Sequence, residues 1–220
     1  MPFAMTHLCI AKNVIGHFPG YIDNLSQFYL GNIAPDAVHN RENYVSDYKK
    51  VSHLCVGTEK WGMITNNDEW IANVSKFLKE HKNSPDYSFI LGYCSHILSD
   101  IFNNINVYMP FKEKYATKLD KCGGFYHSES EKIDINLALT LEGKDDFWLN
   151  LENSKGIDLE KIICADEIEK QKINILYRWF SDKHLQDVSF NEVVTYDSTM
   201  RFINNASEFV SGNLAEFLAG

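Results

Sequence analysis

The sequence contains no Cys-x-x-Cys pair. Its five cysteines, Cys9, Cys55, Cys94, Cys122 and Cys164, are odd in number and widely spaced, which argues against a disulfide framework or a thiolate zinc knot and fits a reducing compartment. No run of 18 apolar residues is present, so no membrane span is expected. No cationic start leads into an apolar core with a small-residue cleavage site, so no export signal is visible and the expected location is cytoplasmic. A basic surplus is also missing: the net charge is -9 and the pI near 5.3, which works against affinity for nucleic acid phosphates or anionic lipid surfaces. The one basic local run, Lys112 to Lys121, carries Glu113 and Asp120 and reads as a solvated helix face. There is no strand-like alternation, no repeat and no low-complexity tract, so the expected fold class is all-α.

What is present suffices for one sizeable core. With 220 residues and 45% hydrophobic content, residues 1–220 are expected to form a single compact domain of many helices. The chain is organised around the stretch from Phe89 to Asn106, which is apolar on almost every side and so belongs in the middle of the molecule. Ser84-Pro85-Asp86 opens it as N-cap, first helical proline and dipole-matching acid. Before it come a helix after Pro2 with Leu8, Ala11 and Ile15 on a buried stripe, a short helix over residues 24–30, and a turn at Gly31 and Pro35 that presents Asp36 and His39. A short helix then carries His53, and another opens with the capping box Asn66-x-x-Glu69 and buries Trp70, Val74, Phe77 and Leu78. After it a charged helix is expected over residues 111–119, a further one from Tyr126, and a short one over residues 145–151, with Asp158 capping another. Two long amphipathic helices finish the chain, over residues 165–180 and, from the capping box Ser189-x-x-Glu192, over residues 189–217.

Two polar groups interrupt the central apolar stretch. His96 and Asp100 are four apart, about 6 Å along a helix axis on one face. An imidazole and a carboxylate inside a core either pair with each other or both coordinate a metal. With His7, Asp36, His53, His127 and Glu131 they make a set of nitrogen and carboxylate donors spread over five segments. Such donors suit zinc held with open positions for water and substrate rather than a closed structural site. Because three carboxylates cannot neutralise two or three divalent ions, an occupied centre would stay positive and attract an anion such as a phosphate ester.

The motifs THLCIAKNVI, APD with SHL, LGYCSHILSD and GFYHSESE stand in an order that resembles the zinc-dependent phospholipases C, including the bacterial phosphatidylcholine-hydrolysing enzymes, and more distantly the P1-type nucleases. The resemblance covers roughly residues 5 to 135 and implies a compact helical fold around the central helix. It further implies that Asp36, His53, His96 and Asp100 hold one zinc ion, His127 and Glu131 a second, and His7 with a bridging Asp100 a third, with Asp36 also the candidate general base. Two departures stand out. The family's N-terminal tryptophan is absent, and Asn106 stands where a second-site histidine is expected.

The function implied is a zinc-dependent phosphodiester hydrolase in which metal-activated water attacks phosphorus, acting on a small phosphoester or phospholipid-like substrate and not on nucleic acid. A different class of reading is a non-catalytic helical binding module that keeps a structural zinc site. No exposed aromatic or apolar loop for engaging a bilayer is evident.

Overall fold

The computed structural model describes residues 3–55, 57, 59, 61–115 and 122–220. Among these, ten α-helices follow one another: α1 Ala4–Ile15, α2 Leu25–Gly31, α3 Ser46–Ser52, α4 Asn67–Glu80, α5 Tyr87–Asn103, α6 Met109–Tyr115, α7 Cys122–Thr140, α8 Lys144–Glu152, α9 Ala165–Tyr177 and α10 Tyr196–Ala219. A 3-10 turn, Pro35–Asn40, lies between α2 and α3, and a π-helical segment, Asn104–Tyr108, joins α5 to α6. The described residues contain no strand. One isolated antiparallel bridge links Leu159 and Ile163.

Helix α5 lies at the centre, as its apolar circumference predicts, with every residue from Ser88 to Ile101 buried. Neighbours α1, α2, α4 and α10 pack around it. Each fully buried side chain such as Leu91, Ile97 or Leu98 contributes about 1.5–3 kcal/mol by leaving water. The closest approach is that of α2, and it depends on two glycines. A Cβ on Gly92 would lie 2.1 Å from the Phe28 carbonyl oxygen, and one on Gly31 would lie 2.2 Å from that of Phe89, so neither position has room for any side chain. The residue that follows Gly31, Asn32, is locked by the same crossing, its side-chain amide donating to the Phe28 carbonyl at 3.0 Å.

Helix α1 has no side-chain cap of its own. Asp134, buried on α7, supplies one from a distance: its carboxylate accepts from Met5 N at 3.1 Å and from Thr6 N and Oγ at 3.0 and 3.2 Å. This fixes the entry of α1 and the height of His7 in the core. Glu129, also on α7, takes the backbone N–H groups of Glu192, Val193 and Val194 at 2.7–2.9 Å.

Several element boundaries differ from the sequence expectation, each for a local reason. Helix α5 starts at Tyr87 rather than at the Pro85 signal, with Asp86 in the cap position. Pro110 is the second residue of α6, and residues 116–119 of the expected charged helix fall outside the described residues. Asp158 caps no helix beside it; its carboxylate reaches seven residues on to the N–H of Ala165 and so helps to open α9. The last helix begins at Tyr196, not Ser189, because Thr195 and Ser198 form the capping box while Glu129 holds the N–H of Glu192. The connection between α9 and α10 is therefore not helix. It leaves Leu185 and Phe190 at 65% and 82% exposure, so exposed apolar side chains exist where none was expected.

Two outcomes follow. Gly92→Ala should force α2 and α5 apart and cost about 1–3 kcal/mol or more in urea unfolding. Asp134 provides a pH test, since burial pushes its carboxyl up to about 7 against its three donors. A raised folded pKa means that its contribution is full below about pH 4, where the unfolded carboxyl also holds its proton, and is lost as the pH rises to about 7. In zinc-free protein, wild type should lose stability relative to Asp134→Asn between pH 5 and 8, as read by urea midpoints; a constant difference would show that the carboxyl is ionised throughout.

Candidate metal centre

Five of the expected ligands come together beside α5. His96 and Asp100 project from α5 itself, His7 from α1, Asp36 from the 3-10 turn, and His53 from the cap that ends α3. The helix α3 stops there because Leu54 adopts the left-handed conformation, and Trp70 Nε1 donates to the His53 carbonyl at 2.6 Å. All except Asp36 are almost fully buried.

The orientation of the three imidazoles follows from their outer nitrogens. His96 Nδ1 lies 2.7 Å from the Asn32 carbonyl and His53 Nδ1 lies 3.0 Å from the Lys49 carbonyl; a carbonyl only accepts, so both Nδ1 atoms carry a proton. At His7 the partner of Nδ1 is Ser99 Oγ at 2.9 Å, and that hydroxyl donates its own proton to the His96 carbonyl at 2.7 Å. His7 Nδ1 is therefore also a donor. In the neutral rings all three Nε2 atoms present lone pairs inward, toward the carboxylates of Asp36 and Asp100.

Acceptors thus face acceptors. His53 Nε2 lies 3.3 Å from Asp100 Oδ2, 3.4 Å from Asp36 Oδ1 and 3.3 Å from His96 Nε2. His96 Nε2 lies 3.8 Å from Asp100 Oδ2 and 4.0 Å from Asp36 Oδ2, and His7 Nε2 is 3.6 Å from the other Asp100 oxygen. The His7 and His96 rings stack at 3.7 Å between centroids. Among the described residues His7 Nε2 and both Asp100 oxygens have no hydrogen-bond partner, although all are buried. Leaving such groups unsatisfied costs about 1–3 kcal/mol each, and more for a charge.

Electrostatics favours the same protonation state. Burial holds His7 well below the ordinary histidine value, and the His96 ring beside it adds to the effect; burial lowers His96 as well. Burial acts to raise Asp36, but the Lys49 ammonium leads the interactions that keep the carboxyl well below the usual range.

A cation resolves this arrangement. Donors at about 2.0–2.2 Å around tetrahedral zinc sit roughly 3.4 Å from one another, close to the separations seen here. Two sets of ligand atoms, Asp36 with His53 and His96, and His7 with His96 and Asp100, each lie within 4.8 Å of one another. The residues therefore fit zinc. The remaining candidates are placed differently: His127 lines the cavity over the centre with its ring against Phe3, while Glu131 is exposed and lines no part of that cavity. Asn106 is exposed on the π-helical segment.

The cavity has a volume of about 480 Å³ and aromatic walls that include Phe3, Trp61 and Trp179. Sequence reasoning missed its most unusual member, Lys49, which is buried with Nζ 2.6 Å from Asp36 Oδ1. The signal was present as spacing, since Lys49 is four residues before His53 on one helix face. His39 stands next to it, its pKa pushed down to about 4 by partial burial and by the Lys49 charge. Arg41 points elsewhere, in a two-pronged pair with Glu167 at 2.6 and 3.0 Å.

Asp100→Asn tests the cation argument without removing bulk. The zinc-free variant should be at least as stable as wild type, because a buried unpaired carboxylate becomes a neutral amide, while zinc affinity should fall by about tenfold or more. His96→Ala should lose zinc and about 2 kcal/mol or more of stability, whereas His127→Ala, at an exposed position, should leave the thermal midpoint nearly unchanged. A zinc-free Asp100→Asn protein markedly less stable than wild type would refute the crowding of acceptors.

No curated protein and no solved structure matches the chain. A family model described as zinc dependent phospholipase C matches residues 5–103, a span that contains His7, Asp36, His53, His96 and Asp100 and ends before His127. Over residues 5–103 this helical chain is similar to the zinc-dependent phospholipase C family.

Proposed function

We propose that the protein is a zinc-dependent phosphoester hydrolase, and the observation that carries this reading is the inward convergence of three imidazole lone pairs and two carboxylates beneath an open cavity. His53, His96, Asp36 and Asp100 would hold the first ion, and His7 with the outer oxygen of Asp100 would hold a second. Zinc bound there supplies Lewis acidity toward a phosphoryl oxygen and makes a water acidic enough to attack phosphorus near neutral pH. Asp36, the least buried member of the centre, orients that water; Lys49 holds it ionised, which makes it a steady hydrogen-bond acceptor and a weak base. The aromatic walls exclude bulk water and strengthen these contacts. His127, on the wall, faces the substrate.

A purely structural zinc site would have no use for a cavity of this size over its ligands, which argues against the non-catalytic binding module. About 480 Å³ holds a polar head group but not a diacyl chain, so the substrate we favour is a small phosphoester. A second reading, a phospholipid head group presented at a surface, is favoured by Leu185 and Phe190, exposed on the connection that begins beside cavity-lining Trp179. No described helix is long and apolar enough to cross a membrane. Cys9, Cys55 and Cys94 are buried free thiols, which supports the cytoplasm as the working compartment.

The test is a hydrolysis panel with added zinc: p-nitrophenylphosphocholine, bis-p-nitrophenyl phosphate, a simple phosphomonoester, single-stranded DNA and phosphatidylcholine vesicles. Turnover of a soluble phosphodiester, abolished by EDTA and by His96→Ala, is the expected result. Efficient vesicle hydrolysis well above that of the soluble esters would establish the lipid reading instead. Tight zinc binding with no turnover of any ester would return the protein to the binding-module class.

A further inference from the structure

Lys49 is a cation where a metal centre has least need of one. Its side chain is 8% exposed, on the inner face of α3, and a buried ammonium is expensive unless every donor is used. An ammonium has three donors. One goes to Asp36 Oδ1 at 2.6 Å and a second to His39 Nε2 at 3.3 Å, with His39 neutral and so able to accept. The third meets no hydrogen-bond acceptor among the described residues. Nζ instead stands 5.1 Å from the centre of the Trp61 ring, on the cavity side, and Lys49 is the one lysine or arginine among the described residues that line the cavity.

Charge counting gives this placement a purpose. With only the first of the two proposed ions bound, Asp36 and Asp100 bring two negative charges to the centre, that zinc ion brings two positive, and the three histidines are neutral as ligands. A one-zinc centre without Lys49 is therefore neutral, whereas with Lys49 it carries one positive charge facing the cavity. Lys49 also leaves Asp36 Oδ2 free, because it holds only Oδ1. Its own backbone carbonyl fixes His53 through Nδ1 at 3.0 Å, so the ammonium and the ligand are held by one turn of helix.

We propose that Lys49 is a substrate-binding residue, whose ammonium takes a phosphoryl oxygen of the phosphoester in the cavity through the donor that Asp36 and His39 leave over. This rests on the hydrolase reading for the identity of the anion as substrate, and it adds the residue that recognises it. The guanidinium of Arg41 is not an alternative, being committed to Glu167.

The experiment uses the zinc-loaded protein with inorganic phosphate as the probe, measured by calorimetry, together with zinc content and the thermal midpoint. Lys49→Met should weaken phosphate binding by about ten- to hundredfold with zinc content unchanged, and Lys49→Arg should restore most of it. The KM for bis-p-nitrophenyl phosphate should rise in the same order across the variants. Wild-type phosphate affinity in Lys49→Met would overturn the inference while leaving the hydrolase reading intact, and so would loss of zinc in that variant, since Lys49 would then be a support for Asp36. Phosphate binding that depends on Lys49, with no ester turned over, would do the reverse. Should Lys49→Met fail to fold, wild-type protein with 13C at the lysine ε position decides: saturating phosphate should shift the Lys49 resonance, assigned by its absence in Lys49→Arg, and an unmoved resonance or no phosphate binding at all would sink the proposal.

Discussion

The structure turns on the scarcity of protons at its centre. Asn32, Lys49 and Ser99 occupy the outer nitrogens of His96, His53 and His7 with acceptors, and this leaves every inner nitrogen a lone pair aimed at a carboxylate. Such an arrangement has no internal solution other than protonation, and burial keeps His7 and His96 from taking the proton. The interior therefore stores an electrostatic cost that a divalent cation removes, which couples metal binding to the stability of the whole helical bundle.

The fold serves this constraint through backbone as much as through side chains. Two carbonyl oxygens do the orienting, and each is positioned by a helix end: that of Asn32 follows the glycine crossing of α2 on α5, and that of Lys49 lies in the last turn of α3. Asp134 performs the equivalent task for α1 by capping it from α7. Ligand geometry is thus set by where helices begin, end and cross, and each of these points is tied down by a hydrogen bond or a steric limit whose loss would shift a lone pair by a fraction of an ångström.

Lys49 changes what kind of centre this is. A tethered ammonium beside Asp36 supplies positive charge to the cavity without a further ion, which matters because Glu131 and Asn106, on α7 and the π-helical segment, are both exposed. The ligands that converge are those of α1, the 3-10 turn, α3 and α5, all within the segment of family resemblance; the contribution of α7 is His127 at the wall.

Much was legible in the linear sequence because it depended on local periodicity. The apolar circumference of α5, the i,i+4 placement of His96 and Asp100, the capping of α4 by Asn66 and the turn that presents Asp36 are all consequences of neighbours within a few residues, and the chain determined them by itself. What only the tertiary structure decided are the contacts between residues far apart in sequence: the tautomers of three histidines, chosen by Asn32, Lys49 and Ser99; the late start of α10, imposed by Glu129 across the fold; the exposure of Leu185, Phe190 and Glu131; and the burial of Lys49. A lysine on a polar helix reads as surface in any window of sequence. It is drawn inward here because Asp36, thirteen residues earlier, comes within 2.6 Å of it, and only the packing of the 3-10 turn against α3 brings those two charges together.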